Sequence, residues 1–585
     1  MPSYGSACRD LLVWTVLTAS TIGPGTVTMC SKAGADFGTS LFWATVIAAI
    51  VAWVMQEGTG RLTIASGLTL GEAVRSLSPS GLPLLGRHLL ALFCIVGNFA
   101  YQCNNFAGTM AAVEIMLLPP SQDSSDASSE LAAAAVNCSL GAPATSAQQH
   151  SRLDSGPTLA VRQAVNALLW PLTFALFLSG TRRLSLLCSA VVGGMILCFV
   201  VTLAGAGVPD VIEILHGLVP SIPSGAAEVV LAVMGTTSIP VNILMGSSLA
   251  RSAGSLSAMR HGVALASALS GLVSLLVQLV GTRVPPHPPC LPFELRDVAH
   301  VLQSVMGDAG FYGFGIGLFG AGLSSALTIP MGCALSIEDL YGLHQQDDAS
   351  SPGSGCGGGG GAAARGGISS GVPSCARACG ALADADGALG SARGGGGGSG
   401  RLGGRATAHG AGWSSWSHAK RWHVLIRPLS MAAFLGLSLL PSLLRLPTIA
   451  IITTAQVVNG LLLPCVASLL FVCLNHSEIM GTAGPQEMLL NVVMAPCVGI
   501  TFLLACVFCL KHTLGRLVGE HGPQVAIVTS MPIALGLLLL LVRRALLARR
   551  ASTDRRRSRP RARTQPGLPW GVGGTIEISL SQPTC

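Results

Sequence analysis

Two short stretches hold the residues of this chain best placed to do chemistry: Thr21-Ile22-Gly23-Pro24-Gly25-Thr26 and Gly235-Thr236-Thr237-Ser238-Ile239-Pro240-Val241-Asn242. Each sets proline and glycine inside an otherwise apolar run. Proline has no N–H to return to the carbonyl four residues before it, so each stretch predicts a broken helix. In a bilayer, backbone groups freed by a break are tolerated only where a cavity, an ion or a solute satisfies them. One break alone reads equally well as a proline kink in a packed helix. Two breaks at matching places, five helices apart, mark the midplane substrate site of a secondary transporter. The groups that would face a substrate there are Thr26 and Asn242, with backbone carbonyls near Ile22 and Thr236.

The elements that must carry these breaks are membrane helices. Of 585 residues, 50% are hydrophobic and 10% charged, and the mean hydropathy is +0.61; a soluble chain carries about 25% charged residues. Apolar runs such as 41–55, 89–117, 185–203 and 525–542 suit helices crossing a ~30 Å hydrocarbon core. They are continuous rather than alternating, which argues against a barrel. The pattern predicts an all-α polytopic protein of about 12 spans. These are 11–37 (broken), 41–56, 89–117, 158–179, 185–204, 228–249 (broken), 262–281, 310–335, 423–443, 447–473, 489–510 and 525–542. The first apolar stretch, interrupted by Gly23-Pro24-Gly25, reads as a span rather than a cleavable leader.

Charge gives orientation. The net +8 resides in short loops and in a tail of arginines, which reads as a topology signal and not as a nucleic-acid surface. Arg61, Arg75, Arg87, Arg182, Arg183, Arg251 and Arg260 fall on one side, and Asp123, Asp126, Glu130, Asp210 and Glu213 on the other. Both termini are therefore expected in the cytoplasm. Glu57 and Glu114 read as helix-end carboxylates in contact with water, and Arg162 as interfacial. Of the 18 cysteines, Cys506 and Cys509 stand at CxxC spacing but within an apolar run, and the cysteines in apolar runs read as small packing residues. No HExxH, His-Asp-Ser or paired-carboxylate arrangement is present, so an enzyme is disfavoured and no cofactor is expected. The lipid bilayer is the one structural partner the composition demands.

Four regions follow. Residues 1–343 hold spans one to eight, 344–420 form a Gly/Ala/Ser-rich cytoplasmic loop, 421–542 hold spans nine to twelve, and 543–585 form a basic tail. The loop has too few apolar residues to offset ordering entropy and is expected to be disordered. The segment 119–157 is expected outside, where Asn137-Cys138-Ser139 fits a glycosylation acceptor.

Several longer stretches resemble the NRAMP family (natural resistance-associated macrophage protein) of divalent-metal transporters. They are Gly23-Pro24-Gly25-Thr26 with Lys32-Ala33-Gly34-Ala35, Gly67-Leu68-Thr69-Leu70-Gly71-Glu72-Ala73-Val74-Arg75, Gly217-Leu218-Val219-Pro220-Ser221-Ile222-Pro223, 317–328 and 455–464. The resemblance implies a LeuT-like fold with inverted repeats of spans one to five (about 11–204) and six to ten (starting about 228). It implies a metal cation as substrate, and it assigns Gln456 the place of the family's tenth-span Gln. The substrate-binding set is then Ile22, Gly23, Pro24, Gly25, Thr26, Thr236, Ile239, Pro240, Asn242 and Gln456, with Thr26, Asn242 and Gln456 as the side chains open to a metal.

The chain departs from the family pattern at the residues that would grip a bare ion. Where the family has Asp-Pro-Gly-Asn, this chain has Gly23 and Thr26 at the outer positions; where it has Met-Pro-His-Asn, Ile239 and Val241 replace the thioether and the imidazole. In the third span Gln102 and Asn105 occupy the places of the family's Asp and Glu, and Gly246 that of a second His. Gln102 and Asn105 line a polar pathway or hydrogen-bond neighbouring helices; neither amide relays protons by changing charge. The expected activity is alternating-access transport of a cation, by family resemblance a divalent metal. A non-metal solute is the alternative, as is a receptor or scaffold that has lost transport.

Overall fold

The computed structural model describes residues 21–77, 82–117, 156–178, 182–251, 255–285, 293–343, 427–481, 486–518 and 522–558. The described residues are helical almost throughout. In chain order the helices are α1 (Pro24–Phe37), α2 (Phe42–Ser66), α3 (Leu70–Ser76), α4 (Leu82–Leu117), α5 (Gly156–Leu178) and α6 (Arg182–Ala206). There follow α7 (Val211–Gly217), α8 (Ala227–Thr237), α9 (Pro240–Ala250), α10 (Leu256–Gly281), α11 (Leu295–Met306) and α12 (Asp308–Tyr341). The last are α13 (Arg427–Ser438), α14 (Leu440–Leu443), α15 (Thr448–Asn475), α16 (Ser477–Met480), α17 (Met488–Val518) and α18 (Gly522–Ser558). Helix is found within all twelve expected spans. Seven stretches among the described residues are long and apolar enough to cross a membrane: Phe42–Ser66, Ala227–Ala250, Leu256–Gly281, Asp308–Tyr341, Thr448–Asn475, Met488–Thr513 and Val525–Leu547. Asn137 and the 344–420 loop lie outside the described residues.

Several helices outrun their apolar stretches. Helix α2 runs to Ser66 rather than 56, because polar residues extend it instead of ending it. Glu57 and Arg61 pair across one turn at 3.0 Å, and only Gly67, left-handed at φ 74°, stops the helix. Helix α4 begins at Leu82, ahead of the expected 89, α17 continues to Val518, and α18 runs on to Ser558 through the arginines. Arginine is a good helix former, and hydropathy registers where lipid ends, not where the helix does.

Both carboxylates expected at wet helix ends are paired. Glu57 sits inside α2, bonded to Arg61 and, at 2.9 Å, to Arg260 of α10. Glu114 of α4 forms an ion pair with Arg162 of α5, whose guanidinium also donates to Thr448 Oγ1 of α15 at 3.1 Å. These pairs fasten neighbouring helices where the sequence suggested only solvation. Further along the Glu57 face, the Gly67-Leu68-Thr69-Leu70-Gly71-Glu72 stretch caps α3: Glu72 N donates to Thr69 Oγ1 and Thr69 N to Glu72 Oε2. Glu72 also pairs with Arg251 at the end of α9, and Ser248 Oγ of α9 donates to Asp339 of α12 at 3.0 Å.

The core is built where α1, α2, α8, α9, α10, α12 and α15 meet, with α4 packed along α12 and α15. The tightest crossings are glycine crossings. A Cβ on Gly34 of α1 would collide with the α10 backbone at Gln278, and one on Gly281 of α10 would collide with the α1 backbone at Ser31. Gly235 of α8 lies against the Gln456 carbonyl and, at 2.7 Å from its Cβ position, the Gly460 nitrogen of α15. Small residues let helices approach in the absence of a hydrophobic drive between them. Replacing Gly34 by Leu is expected to lower the thermal midpoint of the detergent-solubilised protein, by overpacking worth roughly 1–3 kcal/mol. Leu at Gly194, which faces open space, is expected to leave the midpoint unchanged.

Candidate functional site

Both breaks form as the sequence demands, and each is finished by proline at the first turn of a new half-helix. Gly23 is the extended N-cap of α1 with Pro24 at its first position, and Ile239 is the extended N-cap of α9 followed by Pro240. Proline suits this position, since its absent N–H would have been an orphan there. The consequence falls on the half-helix before it: the Thr236 carbonyl of α8 has no N–H four residues on to receive. Gly108 of α4 leaves the room that the Pro24 ring fills.

One chain of hydrogen bonds ties the breaks together. Thr26 Oγ1 donates to the Thr21 carbonyl at 2.6 Å and lies 3.0 Å from Thr236 Oγ1. Asn242 Nδ2 donates to Thr21 Oγ1 at 3.2 Å. All four residues are buried. Gln456 of α15 stands against both broken helices: its backbone carbonyl abuts Gly235, and its side-chain amide fills the space beside Gly25 where a Cβ would go. Neither the Oε1 nor the Nε2 of Gln456 has a hydrogen-bond partner, and the residue is fully buried. Leaving a buried amide unpaired costs about 1–3 kcal/mol per group, so the arrangement suits a group that receives a ligand.

The structure therefore brings together Gly23, Pro24, Gly25, Thr26, Thr236, Ile239, Pro240, Asn242 and Gln456, with Ile22 buried at the start of the first break. Thr21 belongs to the same network. Its place at the edge of the first break was the only sequence signal for it. Gln102 and Asn105 are occupied elsewhere: Asn105 Nδ2 donates to Gln102 Oε1 at 3.4 Å, and Gln102 Nε2 to the Ala326 carbonyl of α12 at 3.3 Å. The Gln102 bond clasps α4 to α12. Val241 packs in an apolar cluster with Tyr101, Ile239 and Ile329, and the space beside Gly246 opens on Thr59.

The donor set of the break region is neutral. Hydroxyls, amides and carbonyls surround it, and among the described residues no group of three His, Cys, Asp or Glu is placed to hold a metal. Beside it, a cavity of about 10 Å³, room for one water, is lined by Thr21, Gln56, Thr237, Ser267 and Ser270 with three alanines. A second cavity, of about 460 Å³, lies at the other end of α1 beside α7, lined by its N-cap Asp210 and by Glu213 and His216.

A bundle of membrane-length helices, two of them broken side by side at a buried polar centre, is the architecture of a secondary transporter. The family described as "Natural resistance-associated macrophage protein-like" matches residues 15–124 and 158–351, just over half of the chain. This protein belongs to that family. The "Divalent metal cation transporter MntH" of Yersinia pestis (strain Pestoides F) is 26% identical over 326 residues, covering 52% of this chain and 67% of the relative. The protein of the same name from Erwinia tasmaniensis is 25% identical over 337 residues, covering 55% and 70%. Crystal structures of variants of the Eremococcus coleocola manganese transporter superpose with TM-scores of 0.55 and 0.54 at 14% identity, over 95% of this chain and 97% of theirs. At that identity the likeness establishes the fold, which is LeuT-like with inverted five-helix repeats.

Thr26→Val keeps the side-chain volume but strips the hydroxyl from the Thr21 carbonyl and from Thr236. A lower thermal midpoint is expected, of the order of 1–3 kcal/mol for the groups left unpaired, with Thr26→Ser restoring it.

Proposed function

We propose that this protein carries a divalent metal cation across a membrane by alternating access, binding it between the broken helices with Thr26, Asn242, Gln456 and the carbonyl of Thr236. The observation that carries this reading is the buried, unpartnered amide of Gln456 set against both breaks. The C-terminal end of α8 adds the negative pole of a half-helix at the same place.

The neutrality of the site narrows the cargo. A dication stripped of water and held by neutral oxygens in a low dielectric is poorly compensated. An ion that keeps part of its hydration shell loses less, and magnesium dehydrates reluctantly and retains several waters. The absence of a thioether at Ile239 removes the soft ligand that favours manganese or iron. No side chain of the proposed site titrates near neutral pH, and Gln102, Asn105, Val241 and Gly246 offer no carboxylate or imidazole for a proton relay. Transport is thus read as low in affinity and not strictly coupled to protons. The same reading makes the protein a transporter and not an enzyme.

The charge pattern supports a reading with both termini in the cytoplasm. Arg61, Arg251 and Arg260, all assigned to that side, gather at one end of the bundle through Glu57 and Glu72. Residues 1–343 and 421–542 then form the membrane body, joined by the 344–420 loop and followed by the 543–585 tail on the cytoplasmic side.

Purified protein in liposomes is expected to take up magnesium and manganese with millimolar-range half-saturation and little response to an imposed pH gradient. Gly25→Val, which drives a branched side chain into Gln456, is expected to abolish uptake. Tight, strictly proton-driven manganese uptake would sink the reading of the cargo; failure to carry any divalent ion would sink the function itself.

A further inference from the structure

Gly23 opens the first break, and a side chain there would enter space already taken. A Cβ at Gly23 would stand 3.0 Å from the Tyr101 hydroxyl and 3.1 Å from Ser325 Oγ, tighter than ordinary van der Waals contact. Tyr101 comes from α4 and Ser325 from α12, so the two hydroxyls close on Gly23 from different helices. The Tyr101 ring packs with Ile239 and Val241 of the second break and with Ile329. One side chain therefore touches both breaks, its ring on the second and its hydroxyl on the first.

Ser325 behaves differently from the hydroxyl residues around it. A serine inside a helix commonly returns its hydroxyl to a carbonyl one turn back, as Ser324 does to Ala321 and Ser336 to Gly332. Ser325 makes no such bond. Its Oγ is fully buried, has no partner, and faces Gly23. Gln456 presents the same signature on the opposite side, beside Gly25. Two unpartnered polar side chains thus flank the Gly23–Gly25 backbone.

We propose that Tyr101 and Ser325 are specificity-determining residues of the cation site, their hydroxyl oxygens standing where a carboxylate on residue 23 would otherwise reach. This rests on the transport of a divalent cation proposed above. A hydroxyl oxygen contacts an ion or one of its waters without contributing negative charge, so the pair selects for a cation that arrives partly hydrated. It also blocks an acid: glycine at position 23 is the counterpart of tyrosine at position 101, and neither can be changed alone to make a tight site for a bare dication.

The test has two arms, both on the purified full chain. In liposomes, Tyr101→Phe and Ser325→Ala are each expected to raise KM for magnesium at least fivefold while changing kcat less than twofold. Tyr101→Phe retains the ring that packs with Ile239 and Val241, and its thermal midpoint, measured alongside, separates a loss of fold from a loss of the site. An unchanged KM in both variants overturns the proposal while leaving the transport function standing. The second arm does not need transport. Manganese(II) binding, followed by electron paramagnetic resonance, is expected to be no tighter in Gly23→Asp than in the parent, and at least tenfold tighter in Gly23→Asp/Tyr101→Ala. Equal tightening in the single and double variants overturns it. If the parent carries no divalent ion, the transport reading fails and this second arm alone decides whether Tyr101 occupies the acid's place.

Discussion

A helix interrupted inside a bilayer must find partners for the backbone groups it releases, and most of this structure can be traced to that constraint. Prolines at 24 and 240 remove two ladder bonds at once, and the response is a set of short polar side chains drawn from both broken helices. Thr26 turns back to the Thr21 carbonyl, Thr236 meets Thr26, and Asn242 meets Thr21. The repair is partial. It couples the two breaks while leaving the amide of Gln456 and the hydroxyl of Ser325 unspent. A fully satisfied network would have made a rigid core with nothing to offer a substrate.

Glycine makes the geometry possible on every side of this centre. Gly235 and Gly460 let α8 lie against α15, and Gly34 and Gly281 let α1 lie against α10. The first crossing brings Gln456 up to the breaks. Away from the centre, ion pairs take over the fastening: Glu57 with Arg61 and Arg260, Glu72 with Arg251, Glu114 with Arg162.

The architecture was legible in the sequence because its signals are long or covalent. Apolar runs located helix at all twelve expected places, seven stretches among the described residues being long and apolar enough to cross a membrane, and Pro24 and Pro240 located both breaks to the residue. Helix ends were less so: Glu57 and the arginines after 542 read as boundaries, yet continue their helices by pairing across a turn or by good helix propensity. Of the proposed site, Thr26 and Asn242 were legible from the breaks and Gln456 only through the family resemblance, whereas Tyr101 and Ser325 come from helices whose sequence separation from Gly23 carries no local pattern. Gln102 and Asn105 show the converse. Their position left both a pathway and helix-to-helix bonding open; an amide side chain has both a donor and an acceptor to satisfy, and each finds a partner in α4 or α12.

The substitutions that set this chain apart from its family's usual motifs are also physically linked. Glycine at position 23 contributes no negative charge and leaves a volume beside the backbone. Tyr101 brings its hydroxyl to that volume, while its ring packs with Ile239 and Val241. Glycine, isoleucine and valine thus meet around one aromatic side chain. Polar atoms remain, but as hydroxyls and amides, which bind a cation through its dipolar surroundings and its own waters. Selectivity in such a site comes from how much water the cavity lets the ion keep, and that is fixed by packing at residue 101 as much as by any ligand.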